Sequence, residues 1–162
     1  MTDEARLPGL RLALREDLPA LRALLADDAL GATREDPDPA AAASYARAFE
    51  ALEADPAHEL LVVEEEGRVV ALLQLSFLPN LTYAGGLRAQ IEGVRVAAER
   101  RGTGLGKRFL RAAIERARAR GAILVQLTTD RRRPEALGFY ESLGFEGSHV
   151  GMKLRLDPGP SE

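Results

Sequence analysis

Apolar and polar positions alternate in "LRLALR", Leu10 to Arg15, the period of a half-buried strand. The period then changes. Leu18, Leu21, Leu24 and Leu25 recur at helical spacing behind Asp17, which reads as an N-cap, and Pro19 in the first turn. "REDPDP", Arg34 to Pro39, breaks the chain, and Asp38 and Pro39 read as cap and first turn of a second helix with Tyr45, Phe49 and Leu52 on one face. The polar segment between these helices is of the kind that forms a substrate-side wall.

"LLVVEEEGRVVALLQLSFL" holds two β-rich runs joined by a short turn at Glu65 to Arg68, hence a hairpin. Leu87 to Val96, "LRAQIEGVRV", is a third strand of this central series, with Ala89, Ile91, Val94 and Val96 inward. Gly93 inside it signals a bulge or the close approach of another group. After a glycine-rich stretch, a helix is expected from about Gly104 to Arg120. Its apolar stripe is Leu105, Phe109, Leu110, Ala113, Ile114 and Ala117, and Gly121 ends it. "AILVQLTT" reads as a buried strand, and Pro134 to about Leu143 as a short helix stopped by Gly144. "SHVGMKLRL" alternates again and should return to the sheet, while "DPGPSE" is a frayed end. The order is βααβββαβαβ, an α/β domain with mixed pairing and no internal repeat.

At 162 residues the chain fits a single domain, 1–162, large enough to bury a core. The sequence lacks a run of about 18 apolar residues, and it begins with an acidic "MTDEARLPGL", so a cytoplasmic protein without membrane contact is expected. The absence of cysteine excludes a disulfide, a thiolate metal site and a cysteine nucleophile. His58 and His149, the only histidines, have no metal-ligand spacing; both read as surface or loop residues, and no metal is expected.

The net charge of −3 conceals two opposite halves. Met1 to Glu66 holds 16 acidic and 6 basic residues, whereas Arg95 to Arg133 holds 12 basic and 3 acidic. An anionic ligand would be drawn to the second stretch. Arg111, Arg116 and Arg118 read more simply as solvated helix-face residues. Nucleic acid is disfavoured because the chain is acidic overall and no aromatic residues interleave with the arginines.

"ERRGTGLG", Glu99 to Gly106, puts three glycines on alternate positions at a helix start. A helix start with uncovered N–H groups suits a phosphate. A P-loop requires a hydroxyl residue after its lysine, but Arg108 follows Lys107; a dinucleotide fingerprint requires G-x-G-x-x-G, but the glycines fall at 102, 104 and 106. R-x-x-G-x-G is satisfied by Arg101, Gly104 and Gly106, with "VRV" upstream and "FYESLGF" downstream after one more strand.

With these motifs in this order, the sequence from about Ile91 to Phe145 resembles the GNAT superfamily of acyl-CoA N-acyltransferases. "LTTDRRRPEALGFYESLGFEGSHVGMKL" is also similar to the corresponding part of aminoalkylphosphonate-type N-acetyltransferases within it. The resemblance implies a GNAT fold, an α/β arrangement with a mixed, mostly antiparallel sheet, splayed central strands and flanking helices. It implies acetyl transfer from acetyl-CoA to a primary amine of a small molecule, directly in a ternary complex, and a homodimer. A non-catalytic acyl-CoA-binding regulatory module and a protein or peptide N-acetyltransferase remain as alternatives.

By the same resemblance, the amides of Arg101, Gly102, Thr103, Gly104, Leu105, Gly106 and Lys107 hold the coenzyme A pyrophosphate. The strand stretch Val94, Arg95 and Val96 pairs with pantetheine, and the Val96 region offers an N–H to the thioester oxygen. As side chains, Val94 and Val96 read most simply as core. Glu92 is the candidate base for the amine, its alternative being an outward-facing strand carboxylate opposite Ile91. Tyr140 of "FYESLGF" is the candidate acid for the coenzyme A thiolate, its alternative an amphipathic tyrosine against the core. Many relatives carry asparagine seven residues before this tyrosine; here Arg133 stands there, so a pantetheine or phosphate contact is changed or replaced. The proline often found after V-x-V is Ala97. Arg131 to Arg133 either meet cofactor phosphates or are solvated.

Overall fold

Residues 7–27, 35, 38, 41–154 and 156 are described by a computed structural model, and the chain divides into two compact units after Leu127. The first contains strands β1 (Leu10–Leu12), β2 (His58–Glu65), β3 (Arg68–Leu78), β4 (Arg88–Val96) and β5 (Leu124–Leu127), with helices α1 (Leu18–Ala26), α2 (Ala42–Ala54) and α3 (Leu105–Ala119). The second contains helix α4 (Pro134–Glu141).

The five strands form one sheet in the order β1-β2-β3-β4-β5. Neighbours from β1 to β4 are antiparallel, and β5 runs parallel to β4. The two-residue turn Glu66–Gly67 closes the expected β2–β3 hairpin, with Glu65 opposite Arg68. Parallel strands require a crossover, and α3 supplies it.

Cross-strand partners share a sheet face, so the register sorts the side chains. Leu61, Leu73, Leu75 and Ile91 lie on one face and are at most 1% exposed. Helix α3 covers that face with Leu105, Phe109, Leu110, Ala113 and Ala117, all fully buried. Its C-terminal end is tied down by Arg116 and Arg120, which both pair with Glu59 of β2, and by the Arg120 guanidinium, 4.0 Å from the Phe77 ring centre. Leu60, Val62, Leu72 and Gln74 lie on the opposite face, which α1 and α2 cover; Phe49 is buried there as its spacing requires.

The first strand is shorter than its alternating pattern. The Asp17 carboxylate accepts the Leu14 N–H at 2.7 Å and a guanidinium N–H of Arg11 at 2.6 Å. This turns the chain into a 3₁₀ turn at Arg15–Asp17, so the strand stops and Leu12 and Leu14 stay 49% and 46% exposed. With its oxygens so used, Asp17 makes no side-chain bond capping α1. Helix α2 begins at Ala42, later than the expected start at Asp38, whose carbonyl accepts the Ala41 N–H; Pro39 lies outside the described residues, as does most of "REDPDP".

Within the second unit, α4 ends at Glu141, and the Gly144 N–H closes onto the Glu141 carbonyl at 2.9 Å. The expected last strand does not form among the described residues. Val150, Met152, Leu154 and Leu156 keep their alternation but are 71%, 92%, 85% and 92% exposed. Alternation supplies an apolar face, whereas a strand also needs a partner's hydrogen bonds, and none is given to this segment among the described residues.

Arg11 joins β1, the 3₁₀ turn and β2, because it also donates to Glu64 at 2.8 Å. Its hydrogen bonds hold the Asp17 carboxyl below the usual carboxylate range. A lowered folded-state pKa contributes stability above the unfolded value, near 3.9, and loses it as pH falls through the folded value. Asp17→Asn is therefore expected to cost about 1–3 kcal/mol in urea unfolding at pH 7, with a smaller difference from wild type below pH ~4. An undiminished gap in acid would contradict this assignment.

Candidate functional site

Strand β4 and the loop after it contain most of the expected site. Leu72 pairs with Arg95 and Gln74 with Glu92, so Leu73 alone stands opposite Gly93 and Val94. This is the bulge that the glycine signalled, and Gly93 takes φ +62° within it. Pairing with β5 runs from Arg88↔Leu124 to Ile91↔Leu127 and stops there. Glu92 to Val96 thus extend beyond β5 by roughly 16 Å of strand at about 3.3 Å per residue.

The direction of the backbone groups along this overhang follows from one bond. Ala97 donates its N–H to Val70 of β3 at 2.9 Å, so its neighbour Val96 points its own N–H and C=O to the opposite side, where β5 has ended. The Val96 carbonyl there accepts Nε of Arg101 at 3.0 Å, and the Val94 carbonyl accepts Nη1 of Arg95 at 2.9 Å. Val94 and Val96 are half-buried rather than core residues.

The glycine loop ends in the N-terminus of α3. Gly104 sits at φ +81° as its N-cap and Gly102 at φ +74° before it. The first bond into the helix is Arg108 N–H to the Gly104 carbonyl at 3.1 Å, leaving the N–H groups of Leu105, Gly106 and Lys107 with no intrahelical acceptor. The Leu105 side chain is fully buried, so this residue offers only its backbone. Thr103 turns its hydroxyl to the Arg100 carbonyl at 2.8 Å. Lys107 and Arg108 have no ion pair among the described residues, whereas Arg101 donates to the Asp27 carbonyl at 2.7 Å and its carboxylate at 2.9 Å.

Glu92 is exposed and stands on the face opposite Ile91, beside its cross-strand partner Gln74. That face is the one covered by α1 and α2. Between these helices and the sheet lies a cavity of about 160 Å³, lined by residues of both helices and by Leu60, Leu72, Gln74 and Gly93. Tyr45, Phe49 and Leu52, the expected apolar face of α2, all contribute to it.

Tyr140 and Arg133 belong to the second unit. Tyr140 is half-buried on α4, edge-on to Phe139 at 5.3 Å and to Phe145 at 6.0 Å between ring centres. Arg133 is the N-cap residue of that helix, its N–H bonded to the Asp130 carbonyl at 3.0 Å. Arg132 pairs with Asp130 at 3.0 Å. His58 bonds through Nδ1 to Ser76 Oγ at 2.9 Å and is half-buried, not a surface residue, whereas His149 is exposed. No group of metal-ligating side chains forms among the described residues.

Asp27, Gln74 and the cavity-lining leucines were not legible as site residues. Asp27 is 74 positions from Arg101, and its neighbours give no sign of that pairing.

A strand that outruns its parallel neighbour, followed by a glycine loop and a helix N-terminus whose first amides lack intrahelical acceptors, defines an α/β protein suited to an extended ligand carrying phosphate. Residues 18–145 match the acetyltransferase (GNAT) family, and the chain belongs to that family. It is 36% identical over 113 residues to glucosamine 6-phosphate N-acetyltransferase 1 of Oryza sativa subsp. japonica, covering 65% of this chain and 64% of that one. It is 36% identical over 90 residues to the glucosamine 6-phosphate N-acetyltransferase of Trypanosoma brucei brucei, covering 56% and 59%. The chain thus spans less than two thirds of the length of these curated relatives. Among solved structures, a transcriptional regulator from Bacillus halodurans C-125 superposes with a TM-score of 0.87 at 46% identity, covering 91% of this chain and 98% of that one.

A Cβ added at Gly104 would meet nothing within 4 Å, so only its left-handed backbone opposes a side chain. Gly104→Ala is expected to lower stability by about 1–2 kcal/mol in chemical denaturation. A variant as stable as wild type would mean that the loop relaxes out of this conformation.

Proposed function

We propose that the protein is a cytoplasmic N-acetyltransferase, one domain across residues 1–162, that moves the acetyl group of acetyl-CoA to a primary amine of a small molecule. The observation that carries this reading is the β4 overhang together with the amides of Leu105, Gly106 and Lys107, which have no hydrogen-bond acceptor among the described residues. The pyrophosphate takes the amides of the Arg101–Lys107 loop. The helix N-terminus adds about half a positive charge, and the Lys107 ammonium adds a whole one. Gly106 lies inside the first helical turn, so a missing side chain there suits close approach by a ligand. Pantetheine lies along Val94, Arg95 and Val96 as an added strand. The Val96 N–H faces the thioester oxygen, where such a donor contributes about 2.7–4 kcal/mol to acyl transfer.

The acceptor arrives protonated, with an amine pKa near 10.4, and Glu92 takes its proton directly or through water. The amine nitrogen then attacks the thioester carbon, forming the C–N bond and a tetrahedral oxyanion. Collapse breaks the C–S bond, Tyr140 protonates the departing thiolate, and the second proton lost by the nitrogen returns through water to the Tyr140 phenolate, which leaves a neutral amide. The products are an N-acetylated amine and coenzyme A, with no covalent enzyme intermediate. Arg133 is assigned to the cofactor in place of the asparagine of many relatives. The names of the two curated relatives support a small amine as acceptor. A homodimer belongs to the same reading, favoured by the alternating, exposed apolar side chains from Val150 to Leu156.

A second reading, a non-catalytic acyl-CoA-binding regulator, is favoured by the name of the Bacillus halodurans relative. Free-thiol release from acetyl-CoA over a panel of amines separates the two. Glu92→Gln and Tyr140→Phe are each expected to lower turnover by about 10²–10⁴-fold while leaving acetyl-CoA affinity by calorimetry unchanged. Tight binding with no thiol release from any amine would favour the regulator, and no binding would overturn the assignment of the loop.

A further inference from the structure

The α1–α2 cavity differs in chemistry from the cofactor side of the sheet. Leu18, Leu21, Leu25, Leu52, Leu60 and Leu72 form most of its wall, with Phe49 at its base only 3% exposed. Polar groups at its rim are engaged with one another. The Arg22 guanidinium lies 4.8 Å from the Tyr45 ring centre and donates to the Asp38 carbonyl at 3.1 Å, while the Tyr45 hydroxyl donates to Glu35 at 2.5 Å. At the sheet the cavity ends on Gln74 and Gly93, and Gln74 is the cross-strand partner of Glu92.

We infer that this cavity binds the apolar body of the acceptor, a phenyl- or branched-alkyl-sized group carried by a primary amine whose nitrogen lies toward Gln74 and Glu92. The inference rests on the acetyl-transfer reading for the fate of that amine. Volume and lining both support it. A cavity of about 150 Å³ walled by leucine, isoleucine and phenylalanine holds benzene, and this one is about 160 Å³. A sugar phosphate would bring hydroxyls and a dianion against leucines that offer them no partner, leaving those groups desolvated and unpaired. Arg22 also lines the cavity, with its guanidinium held by the Tyr45 ring and the Asp38 carbonyl, and Glu92, beside Gln74 on the same sheet face, is the carboxylate toward which an amine would turn.

The test is calorimetric binding of 2-phenylethylamine and of glucosamine 6-phosphate to the full chain, with and without coenzyme A, alongside thiol release from acetyl-CoA and hexanoyl-CoA. Ala48→Phe is the first variant, since Ala48 lines the cavity yet is exposed, so a larger side chain fills the space without crowding the core. Leu52→Gln, which makes the wall polar, is the second, and thermal melting monitors the fold of both. The expected result is binding of 2-phenylethylamine that each variant weakens by about tenfold or more, with faster thiol release than glucosamine 6-phosphate supports. No binding of 2-phenylethylamine, or binding that neither variant changes, overturns the inference. So does a loss confined to hexanoyl-CoA, which would assign the cavity to the acyl chain. Variant-sensitive binding without thiol release would leave the cavity assignment standing and remove acetyl transfer. Thiol release with polar amines alone would do the reverse.

Discussion

The separation of β4 from β5 is the constraint on which the rest of the site depends. After Ile91↔Leu127, β4 continues for five residues with no strand on its β5 side among the described residues. Two residues beyond that last pair, the bulge at Gly93 and Val94 bends the strand, which increases local twist. The left-handed φ at Gly93 makes the extra residue tolerable there. A backbone edge left unpaired in this way invites an extended partner, and a sheet that closed its ladder along the whole strand would have no place for one.

Arginines on β4 and its loop tie this edge to α1. Arg95 reaches the carbonyl of Val94 on its own strand, and Arg101 joins the Val96 carbonyl to both the backbone and the carboxylate of Asp27, the C-cap residue of α1. A guanidinium at a helix C-terminus meets carbonyls that lack intrahelical donors, so the pairing also suits the helix dipole. Helix α1 walls the leucine cavity as well. One helix therefore serves the apolar cavity along its face and the glycine-loop arginine at its end. Much of the apparent cationic excess in this half is used within the protein: Arg100 on Glu65, Arg116 and Arg120 on Glu59, Arg118 on Glu115. Lys107, with no ion pair among the described residues, retains a charge for a ligand.

Features set by local spacing were legible in the sequence. The hairpin, the α3 stripe, the apolar face of α2 and the bulge at Gly93 each follow from neighbours within a few positions, and each stands where the pattern placed it. Long-range polar contacts altered the rest. Asp17 carries the signature of an N-cap, but Arg11 and the Leu14 amide claim its oxygens, which shortens β1. The Val150 to Leu156 alternation predicts a strand face without specifying a partner, and pairing is a property of two segments. Arg101 was recognisable from its motif, while Asp27 opposite it was not, because only the fold brings them together.

The two sides of the sheet pose different problems for a ligand, and the register assigns them. Side chains alternate across β4, so Ile91 faces the α3 core while Glu92 faces the cavity side, and pairing with β5 ends between them. Glu92 is thus carried by the same few residues that turn the Val96 N–H toward the β5 side of the strand. Glu92 is exposed, and its cross-strand neighbour Gln74 lines an otherwise leucine-rich space. Leucines form most of the wall of that space, and at the sheet it ends on Gln74, the neighbour of Glu92. On the acceptor inferred for this cavity, an apolar body with a basic end uses both sets of contacts, where either part alone would leave one unused.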